Sequence, residues 1–464
     1  MGKAESPNPI TLLHLHHISP SFIDVPPPSD DVTFPLTCFD FTWSIFPPVE
    51  RLLFYPLPPE NSTAAFFTSS IVPTLTRSLA AALSRFLPIA ASLTWPYNSP
   101  NPFLLYSPSA AVPLTVAQST ADFNHLASDI GQIRDAAESH PYIPVLPSSD
   151  SEASVIALQL TLFPGQGFCV GITSHHAVLD GKSTTLFLKA WAHLSKSSVT
   201  SCPEDLVPFL DRSVVPEPKG MGLHYHNSWP GPRSLKLTPP SAPAPGLVRV
   251  TFMLSQDRIQ ALREKIKTAP SGTDYELRLS SFVVTFAHSL VCLVKAKRLG
   301  DEDESEINRE AVVHYAFMAD VRRRLKPPLP ANYLGNCVLS GPELIQVRPL
   351  LAEGGIGFAA ERISKMIDHV EGKDQVVGGD RHVSTFAKDR EASRGVFIGI
   401  AGSPRFHVYD ADFGWGKPKC VEVTSIDRTG GISLADCRNG SRGIEVGLAL
   451  PPDQMDIFRS AFAV

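Results

Sequence analysis

The sequence lacks several features that would place it in a large class of proteins. It has no excess of positive charge, since 41 Lys and Arg stand against 46 Asp and Glu, for a formal net charge of -5. A protein whose main partner is nucleic acid needs a basic face, so that class is not expected. The most apolar run, residues 282–296, contains His288 and is too short to span a bilayer, so we expect no membrane partner either.

Cysteine is scarce as well. Seven cysteines are scattered over 464 residues, with no CxxC pair and no spacing typical of a disulfide framework. The opening residues, Met1 to Ala4, show no secretory signal. We therefore expect reduced thiols and a cytoplasmic protein.

Three histidines near the start of the chain, His14, His16 and His17, suggest a metal site at first sight. No second ligand group lies nearby at the spacing of zinc sites. Alternation along a strand would also place His14 and His16 on one side, most simply toward solvent. We therefore predict that the protein binds no metal.

The composition is that of an ordinary globular protein, with 43% hydrophobic and 19% charged residues. A chain of 464 residues has room for two or three domains. Residues 201–246 carry ten prolines and little periodicity, which is typical of a crossover between domains. Both flanking halves mix helical and strand patterns. We therefore predict an α+β protein with one domain in residues 1–200, another in 247–464 and a cleft between them.

Periodic patterns predict the main elements of both halves. Expected strands include residues 49–55, 153–163, 168–174, 247–254, 406–411 and 444–450. Ser280 and Ser281 are expected to start a buried helix that runs to Ala296. The acidic run 301–306 is expected to be a solvated loop.

Residues 174–181, Ser-His-His-Ala-Val-Leu-Asp-Gly, stand out because of their context. An apolar stretch precedes them and a helical pattern follows, so the histidines lie where a strand ends and a helix has not begun. A neutral imidazole held there can take a proton from an alcohol. Asp180 could orient the ring, or hold the loop by pairing with a cation. A purely structural histidine pair is the alternative, which this context disfavours.

Residues 410–416, Asp-Ala-Asp-Phe-Gly-Trp-Gly, form the second unusual stretch. Two glycines flank a Trp, so the backbone turns tightly while a large ring packs down. A buried Asp412 would need a cationic partner. The basic run 320–324 offers an arginine fork, with Arg322 as the first choice and Arg324 as the second.

The two motifs HxxxD and DFGWG, in this order and more than two hundred residues apart, resemble the plant BAHD acyltransferases. That family moves an acyl group from coenzyme A to an alcohol or amine. The resemblance covers essentially the whole chain and extends to residues 36–40, 280–287 and 332–337. The last stretch is similar to the YFGNC motif of the branch that acylates anthocyanins and other flavonoid glycosides, often with malonyl groups. Leu334 replaces the Phe of that motif, a small apolar departure.

This resemblance implies two chloramphenicol-acetyltransferase-like domains with an active-site channel at their interface. His176, from which the HxxxD spacing counts Asp180, matches the general base that deprotonates a sugar hydroxyl for direct attack on the thioester, without an acyl-enzyme intermediate. Asp180 matches a residue that braces the loop through a salt bridge. Asp412 matches a residue often described as catalytic. We favour a structural role for it, because a carboxylate bound to Arg is a poor base at neutral pH.

Further candidates are placed by their positions beside these motifs. The turn before DFGWG offers Ser403, or backbone N–H groups, as the donor to the oxyanion. The remaining candidates are polar or aromatic residues next to a motif: Ser280, Ser281, Lys182 and Arg322 for the CoA phosphates, Lys182, Arg322 and Arg405 for a malonyl carboxylate, and Thr37 and Phe39 for the acceptor channel.

We therefore expect a monomeric enzyme that uses malonyl-CoA as a co-substrate, holds no permanently bound cofactor and acts on a phenolic glycoside. A hydroxycinnamoyl donor is the first alternative, since the Phe-rich opening segment could form a flat apolar slot. The HHxxxDG pattern also matches condensation domains of peptide synthetases, but those lack DFGWG and bring a carrier domain. A catalytically silent binding or scaffold protein is the alternative from another class.

Overall fold

Strands and helices alternate along the described parts of the chain. The computed structural model describes residues 9–23, 26–41, 43–44, 46–197, 201–217, 233–237, 244–268, 277–297, 311–340, 343–371 and 397–463. The strands within them are β1 (Ile10–Ile18), β2 (Val32–Pro35), β3 (Val49–Pro56), β4 (Ser92–Thr94), β5 (Phe103–Tyr106), β6 (Val112–Ser119), β7 (Arg134–Asp135), β8 (Glu152–Ser154), β9 (Ile156–Phe163), β10 (Gly167–Ser174), β11 (Val248–Leu254), β12 (Val312–Ala316), β13 (Met318–Asp320), β14 (Val338–Ser340), β15 (Glu343–Gln346), β16 (Phe397–Ala401), β17 (Cys420–Val423), β18 (Ile432–Asp436) and β19 (Ile444–Leu450).

The longer helices are α1 (Val72–Leu83), α2 (Gly181–Ser197), α3 (Gln256–Thr268), α4 (Ser281–Ala296), α5 (Gly355–Glu371) and α6 (Pro452–Ala463). Shorter helices are Cys38–Phe41, Ala64–Phe66, Leu87–Ala90, Phe123–Leu126, Val347–Leu351 and Ile426–Thr429, and the stretch Phe67–Ile71 leads into α1 as a π-helix. The predicted α+β class is confirmed.

The first large sheet has six strands in the order β1-β6-β9-β10-β3-β17, of which only β6 and β9 run parallel. Alternate residues of β3 serve two different cores. Leu53 and Tyr55 face the main core together with Trp191 of α2, whereas Leu52 and Phe54 face a second cluster. Strand β10 is buried along its whole length, so its end at Ser174 is a firm support for the loop that follows.

The second large sheet has seven strands in the order β15-β12-β16-β18-β19-β11-β7, with parallel pairs at β12–β16 and β16–β18. Helix α4 packs against α5 and α6 beside this sheet. Nearly every side chain of α4 is buried. Ser280 begins the helix as predicted, because its hydroxyl accepts a hydrogen bond from the N–H of Val283.

Each large sheet is completed by a strand from the other half of the chain. Strand β17, from the second half, pairs with β3 in the first sheet, and β7, from the first half, pairs with β11 in the second. The domain limits expected from the proline-rich crossover stay a prediction. The strand exchange nevertheless shows that the sheets do not follow the two halves of the sequence.

Buried charges lie where the exchanged strands meet. Glu422 of β17 accepts a hydrogen bond from Arg134 of β7 and lies 3.6 Å from Nε of Arg249 on β11. Arg249 also pairs with Asp427. Burial raises the pKa of Glu422, but the two guanidinium groups outweigh it and hold the pKa below its ordinary value. Three elements from distant parts of the sequence are therefore joined by ionised groups.

Most of the predicted elements are present, but one strand is wrong. The stretch 406–411 belongs instead to two short 3-10 turns, Pro404–Phe406 and Val408–Asp410. His407 between them has a left-handed backbone, with φ of 51°, which breaks any extended run. The acidic run 301–306 lies outside the described residues.

The described part of the chain contains no helix long and apolar enough to cross a membrane. All seven cysteines are free thiols, and six of them are buried. Among the residues that the structure describes, no group of three or more His, Cys, Asp or Glu side chains could hold a metal ion.

The buried charges between the exchanged strands make a testable prediction. Glu422→Ala leaves Arg134 and Arg249 without one of their carboxylate partners, so the free energy of unfolding in urea should fall by about 3–5 kcal/mol. Glu264→Ala is the control, because Glu264 pairs with Lys267 on the exposed side of α3 and should cost less than about 1 kcal/mol. Equal losses in the two variants would contradict a structural role for the buried charges.

Candidate active site

The HxxxD loop is fixed at both of its ends. Strand β10 ends at Ser174, and the next N–H, of His175, donates to the carbonyl of Val155 at 2.8 Å. At the other end, one carboxylate oxygen of Asp180 accepts a hydrogen bond from the N–H of Ser183 at 2.8 Å. Asp180 thereby satisfies a free N–H group in the first turn of α2. The backbone around His176 is therefore held firmly in place.

The second carboxylate oxygen of Asp180 points away from the loop. It accepts hydrogen bonds from Nη2 of Arg322 at 2.7 Å and from the N–H of Cys337 at 3.2 Å. Arg322 also donates to Asp320 at 3.0 Å and to the carbonyl of Gly335 at 2.8 Å. The salt bridge expected of Asp180 is present, and it ties the loop to the segment 333–337.

A second buried carboxylate reaches the backbone of His176 through an asparagine. Nδ2 of Asn336 donates to the His176 carbonyl at 2.9 Å and to Asp40 at 3.0 Å. The other oxygen of Asp40 accepts from Arg212 at 2.7 Å and from the hydroxyl of Thr37 at 2.8 Å. The family resemblance singled out the stretches 36–40 and 332–337. Hydrogen bonds through Asn336 join the two stretches to each other and to the carbonyl of His176.

Thr37 and Phe39 were expected to line the acceptor channel. Both side chains are buried. Thr37 donates a hydrogen bond to Asp40, and Phe39 packs in the main core. Their place in the channel stays a prediction.

The ring of His176 is held by stacking. Trp43 lies parallel to it, with ring centroids 4.0 Å apart and 5° between the planes, and Phe46 approaches edge-on at 6.5 Å. Nδ1 of His176 and Nε1 of Trp43 are both buried without a hydrogen-bond partner in the described chain. Sequence reasoning missed Trp43. The aromatic density of residues 39–46 was visible, but nothing in the spacing shows which ring meets the histidine.

Burial keeps both histidines of the motif neutral. It lowers the pKa of His175 to about 4, and it lowers the pKa of His176 to about 4 as well, where Asp180 opposes the shift and Arg51 adds to it. The two rings differ in their contacts. Nδ1 of His175 accepts a hydrogen bond from the N–H of Ala177 at 3.2 Å. This contact ties the His175 ring to the backbone of the loop. The assignment of His176 as the general base stays a prediction.

Asp412 does not bind Arg322, so the predicted pair is wrong. Its partner is Lys196, at 2.6 Å, and its other oxygen accepts hydrogen bonds from the N–H groups of Gly414 and Gly416 at 2.8 and 2.9 Å. Burial raises the pKa of Asp412, but these hydrogen bonds outweigh it and keep the pKa below its ordinary value. Arg322 is unavailable because it is committed to Asp180 and Asp320.

The position of Lys196 separates Asp412 from the HxxxD loop. Lys196 lies in the last turn of α2, sixteen residues after Asp180 and roughly 24 Å along the helix axis. The DFGWG segment is anchored at that distant end. The hydroxyl of Tyr55 donates to the Ala411 carbonyl at 2.8 Å, and Phe413 packs against Trp191 with ring centroids 4.7 Å apart. Asp412 is therefore too far away to contact a group that reacts at His176.

The turn at residues 401–406 reaches the HxxxD loop. A Cβ atom at Gly181 would lie 2.7 Å from the ring of Phe406, so a larger residue here would force that ring to shift. The hydroxyl of Ser403 accepts a hydrogen bond from the N–H of Arg405 at 3.3 Å. Its part in an oxyanion site stays a prediction.

The cations proposed for CoA or a malonyl group differ in availability. Arg322 is buried and already paired with the carboxylates of Asp180 and Asp320, so the prediction that it holds substrate is wrong. Lys182 forms a salt bridge with Asp320 at 2.9 Å, and Arg405 is exposed to solvent. Ser280 and Ser281 lie at the start of α4, where a guanidinium nitrogen of Arg263 is 3.5 Å from the Ser281 hydroxyl. Their contact with CoA stays a prediction.

Comparisons with known proteins agree with this geometry. A model of the Transferase family matches residues 13–464. The malonyl-CoA:anthocyanidin 5-O-glucoside-6''-O-malonyltransferase of Arabidopsis thaliana is 40% identical over 449 residues, which cover 95% of this chain and 96% of that protein. Phenolic glucoside malonyltransferase 1 of the same plant is 37% identical and covers 98% of each chain. The crystal structure of vinorine synthase has the same fold, with a TM-score of 0.68 at 20% identity over 97% of this chain and 96% of that chain.

The family match and the near-full-length malonyltransferase relatives define an acyl-CoA-dependent acyltransferase. The chain belongs to the Transferase family, which comprises the BAHD acyltransferases. It is an acyl-CoA-dependent enzyme of that family, so the resemblance carried by HxxxD and DFGWG is confirmed.

The contacts of Asp412 predict a loss of stability when it is removed. Asp412→Ala deletes the acceptor for two N–H groups and for Lys196, so the free energy of unfolding should fall by about 1–3 kcal/mol. Asp412→Asn keeps an oxygen for the two glycines and should recover much of that loss, while Lys196→Met tests the ion pair alone. The readout is urea unfolding together with turnover. An Asp412→Ala protein that is inactive yet as stable as wild type would show that the carboxylate acts in the chemistry.

If His176 accepts the proton as predicted, its lowered pKa determines how activity should depend on pH. With the His176 pKa near 4, kcat/KM should be level from pH 8 down to about 6 and fall only as the ring is protonated below that. Trp43→Ala should expose the ring to water and move this acid limb upward, toward the ordinary histidine pKa of about 6.5. A wild-type limb already at 6.5 would contradict a desolvated base.

Stability provides the control for that pH profile. Because the folded-state pKa values of His175 and His176 lie below the ordinary value, the unfolded chain binds more protons between about pH 6.5 and pH 4. The free energy of unfolding should therefore fall over this window as the pH falls. Samples returned to pH 7.5 after incubation show whether lost activity reflects protonation or unfolding.

Proposed function

We propose that this enzyme transfers a malonyl group from malonyl-CoA to a sugar hydroxyl of a flavonoid, an anthocyanin or another phenolic glycoside, with His176 as the general base. The observation that carries the proposal is a neutral imidazole, stacked on Trp43 and held by its backbone at the end of β10. Such a group accepts a proton without any rearrangement of the loop. The choice of donor and acceptor is supported by the malonyltransferases that share 37–40% of their residues with this chain.

The proposed reaction is a direct transfer. His176 removes the proton from the acceptor hydroxyl as its oxygen attacks the thioester carbonyl carbon, and the carbonyl electrons move onto oxygen. The tetrahedral oxyanion is stabilised by the turn 401–403, through the Ser403 hydroxyl or backbone N–H groups. The carbon–sulfur bond then breaks, and the CoA thiolate takes the proton from the His176 imidazolium. The products are the malonyl ester and free CoA thiol, and His176 is neutral again.

The other residues act as supports in this scheme. Asp180 and Asp412 hold structure at opposite ends of α2, and neither moves a proton. Ser280 and Ser281, at the start of α4 beside Arg263, are proposed to contact CoA phosphate, where helix N–H groups favour an anion. The enzyme is proposed to act as a monomer, with the CoA ester and the glycoside entering the channel from opposite faces.

A donor competition tests the proposal. The purified enzyme receives malonyl-CoA and coumaroyl-CoA together with one phenolic glucoside, and mass spectrometry identifies the product. We expect mainly the malonyl ester. A mainly coumaroylated product would reject the malonyl donor and favour the hydroxycinnamoyl alternative, and a wild-type protein that releases no free thiol with either donor would favour a catalytically silent protein.

Two histidine variants complete the test. His176→Ala should lower kcat by at least ~10²-fold, the usual scale for removal of a general base. His17→Ala, at an exposed position on β1, controls for the loss of a histidine outside the site and should leave kcat unchanged. A folded His176→Ala protein that kept most of its activity would contradict the assigned base.

A further inference from the structure

One buried arginine has no acidic partner among the residues that the structure describes. Five arginines in the described chain are buried: Arg51, Arg134, Arg212, Arg249 and Arg322. Four of these pair with a carboxylate, namely that of Glu422, Asp40, Asp427 or Asp180. Arg51 is the exception. It is 3% exposed, yet no carboxylate of the described residues lies within 4 Å of its guanidinium group.

The hydrogen bonds of Arg51 are far from complete. Its Nη1 donates to the hydroxyl of Thr185 at 3.2 Å, and its Nε, like that of the other four buried arginines, has no hydrogen-bond partner in the described chain. A guanidinium group carries five N–H donors, and burying such a charge without an anion is costly. Burial lowers the pKa of Arg51 only to about 10, so the group remains charged at neutral pH. The structure therefore holds a cation whose partner is missing from the described chain.

This cation lies beside the proposed base. Strand β3 alternates, so Arg51 faces the same side as Leu53 and Tyr55, toward α2. A Cβ atom at Gly181 would lie 3.4 Å from Nη2 of Arg51 and 2.7 Å from the ring of Phe406, which places the guanidinium group at the start of α2, next to the turn that precedes DFGWG. The negative charge of Asp180 acts on Arg51 and opposes the lowering of its pKa. The carboxylate of Asp180 is nevertheless paired with Arg322, not with Arg51.

The geometry of a malonyl group calls for a cation at this place. Its carboxylate carbon is separated from the thioester carbon by two carbon–carbon bonds, about 2.5 Å. When the thioester carbon lies next to His176, the malonyl carboxylate also lies close to His176. A cation that binds this carboxylate must therefore be located near His176 as well. The other cations predicted for this role are less suitable, because Arg322 is paired with Asp180 and Asp320, Lys182 is paired with Asp320 and Arg405 is exposed.

We propose that Arg51 binds the free carboxylate of the acyl group and so selects a short dicarboxylic donor such as malonyl-CoA. The inference rests on the proposed acyl transfer at His176. The donor carboxylate would complete the ion pair of Arg51 as side-chain carboxylates do for the other four buried arginines, and a guanidinium fork can hold it with two hydrogen bonds. A donor without that carboxylate leaves the buried charge unpaired.

Wild-type enzyme provides the first test, which needs no folded variant. Malonyl-CoA is compared with acetyl-CoA, which lacks the carboxylate, and with malonamoyl-CoA, in which a neutral amide of the same shape replaces it. We expect kcat/KM for malonyl-CoA to exceed both by about 10²-fold, the scale for losing one partner of a buried charge pair. Equal use of malonyl-CoA and malonamoyl-CoA would overturn the proposal.

Variants then test the residue. Arg51→Met should reduce the preference for malonyl-CoA over acetyl-CoA from about 10²-fold to below about 10-fold, mainly through the malonyl-CoA value, whereas Arg51→Lys should keep part of it. Arg77→Met, at an exposed position on α1, is the matched control and should keep the full preference. Circular dichroism and urea unfolding verify that each variant folds.

The outcomes separate this inference from the proposed function. If malonyl-CoA is the donor but Arg51→Met lowers the rates with malonyl-CoA and acetyl-CoA equally, Arg51 is structural and the inference alone fails. If wild-type enzyme uses coumaroyl-CoA and rejects malonyl-CoA, the proposed donor fails, and the selection by Arg51 fails with it.

Discussion

The salt bridge between Asp180 and Arg322 is the interaction on which the site depends most. One oxygen of the carboxylate starts α2 through the N–H of Ser183, and the other holds Arg322, which in turn binds the carbonyl of Gly335. A single side chain therefore sets the end of the histidine loop, the start of a seventeen-residue helix and the place of a distant segment. Because both partners are buried, loss of either one leaves an unpaired charge inside the protein.

The histidine itself is held by its backbone and left free at its ring. Asn336 binds the carbonyl of His176, Trp43 covers one face of the imidazole, and Nδ1 has no partner among the described residues. This differs from a catalytic histidine oriented by a carboxylate. The acidic residues nearby are committed elsewhere, Asp40 to Asn336 and Asp180 to Arg322. Orientation comes from stacking and main-chain contacts, and burial keeps the imidazole of His176 neutral.

Local patterns in the sequence predicted the local features well. The strand-loop-helix context of His176, the helix start at Ser280 and the brace formed by Asp180 all depend on neighbouring residues or on a motif. Long-range partners were not predictable in this way. Asp412 was assigned to an arginine because a fork suits a carboxylate, but α2 brings Lys196 to it. Arg51 looks like an ordinary strand residue, and its burial against Thr185 of α2 and beside Gly181 could not be predicted from its neighbours in the sequence.

The strand exchange limits how this enzyme can move. For the two large sheets to swing apart, β17 would have to leave β3, β7 would have to leave β11, and Glu422 would have to part from Arg134 and Arg249. Breaking such buried pairs costs several kcal/mol each, so a hinge is not an economical way to admit substrate. Binding and release of substrates are therefore expected to take place with both sheets in their present positions.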